Sequence, residues 1–481
     1  MRQMKILFAT SEAAPFAKTG GLGDVAGALP AALAGSSYGV RVIMPLYGSI
    51  PDQWRAQMKF IKYIYVPLAW RNLYCGLFEL KKDGVTFYFV DNEYYFKRAE
   101  IYGHYDDGER YAFFSRAVAA LLTEFDGWAP DVVHCNDWQT ALIPTYMRRL
   151  YDGVPAVDAI RTVFTIHNIA YQGRFGRETL ENVFGLPHTV FDGGTLEYMG
   201  GLNLMKGAIE LSDRVTTVSP SYAEELQYAY YAHGLEGVLA ANRDKLTGIL
   251  NGIDTALFDP ATDGNLTQTF TADSLKGKAV CKAELQKLLG LTRNPDVPLV
   301  VSVGRLVSHK GMDLVAEALD ELMDMDIQFA LLGRGDWHFE QFFSTARHNY
   351  EGRLSASILY NASLSGSLYA GGDMFLMPSQ SEPCGLSQMI AMRYGTVPVV
   401  RETGGLKDTV EPYNSETDEG LGFTFANYDK YDLLYAVRRA VDLYHNHKNR
   451  WAALMKRGMS SDFSWTESAR MYKKLYKEIC K

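Results

Sequence analysis

One pattern, met twice, restricts this chain more than any other: a short apolar run, a polar loop bearing glycine, a helical stretch and another apolar run. Residues 6–9 open the first copy, a loop leads to an Ala/Leu-rich helix from about Asp24, and a second apolar run follows at 40–44. Strand, loop, helix and strand in that order form a βαβ unit, whose strands lie parallel beneath covering helices. Further runs at 87–90, 132–134, 162–166 and 215–218 alternate with helical stretches such as 112–125, so parallel βαβ units are predicted through this half. The pattern restarts at 299–303, passes Gly304-Arg305, and continues as a helix over 312–323 and a strand over 327–332.

A second start requires a second sheet, and 481 residues exceed what one hydrophobic core usually supports. Between the halves lie Asn251-Gly252-Ile253-Asp254 and a polar stretch over 259–276 that reads as linker or loop. The predicted organisation is therefore an N-terminal Rossmann-like domain over 1–250, a C-terminal one over 251–460 and a final helix over 461–481. In that helix Ser464 and Glu467 have capping-box spacing, and Trp465, Ala469, Tyr472 and Tyr476 fall on one face.

Composition narrows the function classes. A formal charge of -8 leaves no basic stripe to displace counterions, which argues against a nucleic-acid partner. The five cysteines are odd in number, scattered and without C-x-x-C spacing, the usage of a reducing compartment. The apolar start is too short for a signal peptide, and no later segment has some 18 uninterrupted apolar residues, so a cytoplasmic protein without a membrane span is predicted.

Gly21-Leu22-Gly23-Asp24-Val25-Ala26 has the G-x-G-x-x-A form of a dinucleotide fingerprint. Two mismatches weigh against NAD. About ten residues separate Thr10 from Gly21, where the fingerprint should follow its strand directly, and the second apolar run ends in Met44-Pro45-Leu46-Tyr47 with no carboxylate for a ribose. What remains is Lys18-Thr19-Gly20-Gly21-Leu22 before a helix N-terminus, where free amides and the dipole favour an anion such as a diphosphate. The plainer alternative is a glycine-rich turn with a solvated lysine.

In doubly wound sheets ligands lie beyond the carboxyl ends of the strands, and polar loops gather there. Asn136-Asp137-Trp138 follows one strand; His167-Asn168-Ile169-Ala170-Tyr171-Gln172-Gly173 follows the next. In the second half the corresponding loops carry Gly304-Arg305 with Lys310-Gly311, then Glu382-Pro383-Cys384-Gly385-Leu386, then Thr403-Gly404-Gly405-Leu406. Arg305 and Lys310 suit a cationic clamp on a diphosphate, the first as a planar fork and the second as a point charge. Asp137, His167 and Glu382 suit hydrogen bonds to sugar hydroxyls around a ring that becomes oxocarbenium-like. Each has a structural alternative: His167 as a satisfied core histidine, Asp137 or Asp24 as a helix N-cap. Asp324-Met325-Asp326 matches a metal-holding D-x-D pattern, yet it precedes a strand and so sits at the opposite rim; no catalytic metal is predicted.

Taken together, Lys18-Thr19-Gly20-Gly21-Leu22-Gly23-Asp24-Val25, the His167–Gly173 stretch, Glu382-Pro383-Cys384-Gly385-Leu386 and Thr403-Gly404-Gly405-Leu406 resemble, nearly end to end, the bacterial glycogen synthases and plant starch synthases. The resemblance implies a GT-B glycosyltransferase: two doubly wound domains facing across a cleft, closing on the donor, with the last helix crossing back to the first domain. It implies retaining transfer of glucose from ADP-glucose to the non-reducing end of an α-1,4-glucan, releasing ADP without a required metal or cofactor. By the same match Lys18, Gly20, Gly21, Arg305, Lys310, Gly404, Gly405 and Leu406 fall on the donor and phosphate side. Asp137, His167 and Glu382 fall at the reacting sugar, and Asp24, Asn168, Tyr171, Gln172, Cys384, Gly385, Leu386 and Thr403 stand beside them. Gln380-Ser381 stands where many relatives carry Arg-Phe, and Cys135-Asn136 where many carry Ala-His, which leaves fine donor and acceptor preference open. A relative using UDP-glucose or another acceptor, or a silent glucan-binding protein, are the competing readings.

Overall fold

The apolar runs become strands because each is long enough to cross a sheet, and the few polar side chains within them, such as His134 and Thr165, are buried with hydrogen-bond partners. In a computed structural model, described over residues 2–125 and 127–481, the first half holds β1 (Met4–Ala9), β2 (Tyr38–Pro45), β3 (Lys59–Leu68), β4 (Arg71–Lys82), β5 (Val85–Asp91), β6 (Val132–Asn136), β7 (Arg161–Ile166), β8 (Arg174–Phe175), β9 (Glu197–Tyr198), β10 (Gly201–Asn203), β11 (Arg214–Thr217) and β12 (Leu246–Gly248). Nine of these form one sheet in the order β12-β11-β7-β6-β1-β2-β5-β4-β3, and β8-β10-β9 form a small separate one. Ile6, Leu7, Phe8 and Ala9 are fully buried at its centre.

The first sheet is not parallel throughout. From β12 to β5 all neighbours run parallel, but β4 and β3 pair antiparallel. Short turns leave no other choice: Asp83 and Gly84, both with positive φ, join β4 to β5, and the two residues Ala69-Trp70 join β3 to β4. The prediction of parallel units is thus corrected for this edge.

The second half holds β13 (Leu299–Val303), β14 (Gln328–Leu332), β15 (Leu354–Ser357), β16 (Met374–Met377), β17 (Val397–Arg401) and β18 (Phe423–Phe425), all parallel in the order β15-β14-β13-β16-β17-β18. Its core includes Val300, Leu331, Met374, Val399, Leu433 and Trp451. The helix expected over 312–323 is two short ones, Met312–Glu317 and Leu319–Met323, and that over 112–125 is Asp107–Leu121.

The chain divides into two compact units, Met1–Gly252 with Trp465–Lys481, and Ile253–Ser464. The last helix, Trp465–Ile479, completes the first unit by burying Trp465, Ala469, Tyr472, Leu475 and Tyr476. There Lys473 Nζ donates to Ala32 O at 3.1 Å and Tyr476 OH meets His134 Nδ1 at 2.7 Å. At the start of this helix Ser464 N donates to Asp462 Oδ1 at 2.9 Å, and Arg470 Nε donates to Glu467 Oε2 at 2.7 Å. Among the described residues no helix is long and apolar enough to cross a membrane.

Candidate active site

Strand order reverses in each sheet where two parallel neighbours send their chains to opposite sides: between β1 and β6 in the first, between β13 and β16 in the second. Loops at such a point part and leave a crevice at the carboxyl ends. The loops after β1, β6 and β7 carry Lys18, Asp137 and His167; those after β13, β16 and β17 carry Arg305 with Lys310, Glu382 and Gly404.

In the first unit the helix Gly21–Leu33 starts with Gly20 at its N-cap and no side-chain cap bond, leaving its first amides available. Lys18 is not a free cation: its Nζ donates to Asp24 Oδ1 at 2.6 Å, with both side chains about a third exposed. Asp24 is therefore an ion-pair partner inside the helix and not its cap. The stem of Lys18 crosses Gly23 so closely that a Cβ there would lie 2.8 Å from Lys18 Cγ. Beneath the loop is a group that motif reading missed. Glu12, only 3% exposed, accepts from both the amide and the hydroxyl of Thr19, which pins the residue after Lys18. Burial raises the Glu12 carboxyl above its ordinary range against these bonds, and the charge of Asp24 adds to the rise.

Asp137 has φ 56° and ψ 178°, a backbone region nearly reserved for glycine and costing roughly 1–3 kcal/mol elsewhere. The strain turns its carboxylate onto the next loop, where Oδ1 accepts from His167 N at 2.7 Å and Asn168 N at 3.4 Å. Burial, joined by the charge of Glu12, pushes the Asp137 carboxyl up to about 7 in spite of these two amides. His167 Nε2 lies 2.9 Å from Asn136 Oδ1, while Asn136 Nδ2 donates to Ala9 O at 3.0 Å. With its amide group oriented by Ala9, Asn136 offers an oxygen, so His167 carries its proton on Nε2 and keeps Nδ1 as an acceptor. Burial depresses His167 to about 3, which leaves it neutral near pH 7.

Farther along this loop Asn168 Oδ1 accepts from Ala170 N at 3.0 Å, a local turn, while Tyr171 stands half exposed. Gln172 is a hub: Oε1 accepts from Arg174 Nε at 2.9 Å and Asn203 Nδ2 at 2.7 Å, and Nε2 donates to His233 O at 3.2 Å. Around them opens a cavity of about 480 Å³ bounded by Trp138, Tyr171, Arg174, Phe175 and His233. Aromatic walls beside amide and guanidinium donors suit a sugar, whose faces are apolar and whose rim is polar. Arg174 and His233 lie outside the quoted motifs and carry no local sequence signal of their own.

In the second unit Lys310 Nζ donates to Glu382 Oε2 at 2.6 Å, and Ser379 Oγ donates to the same oxygen at 3.0 Å. Glu382 is 5% exposed, so a carboxylate and an ammonium separated by 72 residues form a mostly buried pair at the switch point. Arg305 is exposed and its NH2 lies 3.4 Å from His309 Nε2. His309 was not singled out from sequence. Burial, then the charges of Lys310 and Arg305, lower its basicity, so it presents an acceptor to Arg305.

Gly404 and Gly405 hold this cluster by close approach. Gly404 has φ 44°, and any Cβ on it would strike the carbonyl of Glu382; one on Gly405 would strike Cys384. Gly405 N donates to Glu382 O at 3.1 Å, and Leu406 is buried behind it with its amide on Thr403 O at 3.0 Å. Cys384 is buried, Gly385 has φ 71°, and their carbonyls both accept from Gln388 Nε2, which fixes the entry to the helix Ser387–Arg393 capped by Leu386. Asp324 and Asp326 precede β14 at the other rim, and the described residues contain no cluster of three or more metal-binding side chains.

Comparison with known proteins agrees along the whole length. The starch synthase catalytic domain family matches residues 5–241, and the glycosyl transferases group 1 family matches 290–455. The glycogen synthase of Geobacillus thermodenitrificans (strain NG80-2) is 49% identical over 478 residues, covering 99% of this chain and 98% of that protein. The glycogen synthase of Desulforamulus reducens is 47% identical over 476 residues, 99% of each. The catalytic domain of starch synthase IV from Arabidopsis thaliana, solved bound to ADP and acarbose, superposes with a TM-score of 0.93 at 35% identity over 100% of both chains.

Proposed function

Since this chain belongs to the glycogen and starch synthase family of GT-B glycosyltransferases, a family of glucan synthases, we propose that it transfers glucose from ADP-glucose to the non-reducing end of an α-1,4-glucan in the cytoplasm, with retention and release of ADP. The observation that carries the reading is the Lys310–Glu382 contact at the β13/β16 switch point, where a cation suited to a phosphate meets a carboxylate suited to sugar hydroxyls.

On this reading Lys310 and Arg305 neutralise the diphosphate as the bond from glucose C1 to its phosphate oxygen breaks and the electron pair leaves with ADP. In the first unit Lys18 and the uncapped amides of the helix Gly21–Leu33 are donors suited to an anion. The acceptor hydroxyl bonds to C1 from the face that ADP leaves, and its proton passes to the departing phosphate oxygen. Glu382 in the second unit, and His167 through Nδ1 with Asp137 in the first, are groups suited to sugar hydroxyls, while Trp138, Tyr171 and Phe175 receive the glucan chain in the cavity they line. Side-chain cations supply the charge that a metal supplies in other transferases, so chelation with EDTA is expected to leave the rate unchanged. The five unpaired cysteines support the cytoplasmic placement.

The test compares labelled ADP-glucose and UDP-glucose as donors with glycogen as acceptor. Incorporation from ADP-glucose into α-1,4-linked ends is expected. Label from UDP-glucose alone would reassign the donor, and label from neither would refute the activity.

A further inference from the structure

A second cavity, of about 490 Å³, lies in the Ile253–Ser464 unit away from the loops described above. Asp373 fixes its place: it immediately precedes β16, and its Oδ2 accepts from Leu299 N, the first residue of β13, at 2.8 Å. The cavity therefore sits at the amino rim of the same two strands whose carboxyl ends lead to Lys310 and Glu382, roughly 15 Å away by strand rise.

Its lining carries four basic side chains, Lys278, Lys282, Arg293 and Lys448, against one carboxylate, Asp373. That carboxylate is already engaged, since Lys282 Nζ lies 2.7 Å from the Oδ2 that receives Leu299 N. Lys278 is 4% exposed, and its Nζ donates to Ala370 O at 3.0 Å, Tyr394 O at 2.9 Å and Thr396 Oγ1 at 2.7 Å, all uncharged acceptors. These dipoles solvate the amine, and burial lowers its basicity to about 7 against the attraction of Asp373, so near neutral pH it is only partly charged. At the mouth Lys448 Nζ sits 3.6 Å from the centroid of the Tyr444 ring; Asp296 and Asp373 attract it and Lys282 repels it. Neither Lys448 nor Arg293 has an ion-pair partner among the described residues. Apart from Gln286, which is hydrogen-bonded to Asn294 O and Gln328, the remaining wall is largely apolar, with Tyr444, Trp451, Met455, Leu275 and Val280.

We propose that this cavity is a binding site for a small oxyanion, a phosphate or carboxylate, carried on an apolar or aromatic body. Arg293 and Lys448 take the oxyanion at the mouth, the guanidinium by two parallel bonds and the ammonium as a point charge. The body lies against Tyr444 and the neighbouring apolar side chains. The site is independent of the donor reading, because none of these residues lies in the loops assigned to ADP-glucose.

Isothermal titration of the full chain, held in saturating ADP to occupy any nucleotide site, tests this with phenyl phosphate, benzoate and phenol as probes. One of the two anions is expected to bind saturably at one site per chain, with phenol failing, and the stronger of the pair identifies the headgroup. Arg293→Glu with Lys448→Glu is expected to weaken that binding by at least about tenfold while the thermal midpoint and glucan synthesis stay as in the parent. The neutral pair Arg293→Gln with Lys448→Gln should fall between, and it replaces the charge-reversed pair should that chain not fold. No saturable binding of either anion up to about 10 mM, equal binding of phenol, or equal affinity in the charge-altered chains would overturn the proposal.

Discussion

Asp137 holds two costs at one position, a backbone angle that suits glycine and a carboxyl whose burial pushes it up to about 7. The unfolded carboxyl ionises near 3.8, so between that value and about 7 the folded chain keeps a proton that the unfolded chain has lost. Folding is favoured by this group at low pH, and the contribution fades as pH rises through that window and is gone above about 7. Asp137→Asn keeps an oxygen for the amides of His167 and Asn168 without the charge. Its thermal midpoint is therefore expected to match the parent near pH 4 and exceed it at pH 8, while glucan synthesis falls at both. Lys310 and Glu382 call for a different measurement, since either one removed alone leaves its partner buried without its opposite charge. Lys310→Ala is expected to lose both donor affinity and kcat, and Glu382→Ala mostly kcat. In thermal unfolding the double variant should be less destabilised than the sum of the singles, with a coupling on the order of 1–3 kcal/mol. Purely additive losses would show that the 2.6 Å contact contributes nothing of its own.

At the scale of elements, what sequence made legible and what it hid have separate physical causes. Central parallel strands such as β1 and β13 are buried on both faces, so they read as continuous apolar runs, and the loops after them stand out by contrast. The β3–β4 ribbon is a sheet edge: Tyr63, Tyr65 and Tyr74 are exposed aromatics, so its pattern does not announce a core, although Asp83-Gly84 was a readable turn. The candidate residues could be named from their loops, yet the pairings Lys310–Glu382 and Asp137–His167 depend on which strands lie side by side, which local periodicity does not contain. Glu12 and His309 escaped because each acts through a neighbour in the loop, and no spacing marks that. The glycines of the turn after β17 offer a check on this kind of support. Gly404→Ala places a Cβ against the backbone of Glu382, whereas Gly290, also at positive φ (70°), has nothing within 4 Å. Gly290→Ala is expected to cost only backbone strain, about 1 kcal/mol, with kcat unchanged. Gly404→Ala should cost more and lower kcat by shifting a carboxylate it never touches. Equal losses in the two variants would mean that the close approach does not position Glu382.

At the scale of the whole molecule, the order of the chain and the order of the units disagree. The first unit is begun by residue 1 and finished by the helix Trp465–Ile479, after all of the second unit has been made. That helix rests on the helix Gly21–Leu33, and Tyr476 supplies the partner for His134 Nδ1 on β6, the strand that ends at Asn136 beside Asp137. Burying its large side chains contributes roughly 1.5–3 kcal/mol each, a sum comparable with the ~5–15 kcal/mol by which a whole domain is stable. A nascent chain released at Ser464 would hold a complete second unit and a first unit whose His134 and apolar helix face are exposed, the kind of species that aggregates. Truncation after Ser464 is therefore expected to abolish glucan synthesis and to speed amide exchange across β1, β6 and the helix Gly21–Leu33, while β13 and β16 exchange as in the full chain. A synthetic peptide of residues 465–481 added in trans should restore part of the protection, and Tyr476→Phe in that peptide should restore less by about the value of one buried hydrogen bond, roughly 1 kcal/mol. Normal exchange in the truncated first unit would show that the sheet is stable without its last helix, and that the return of the chain serves something other than the stability of β6.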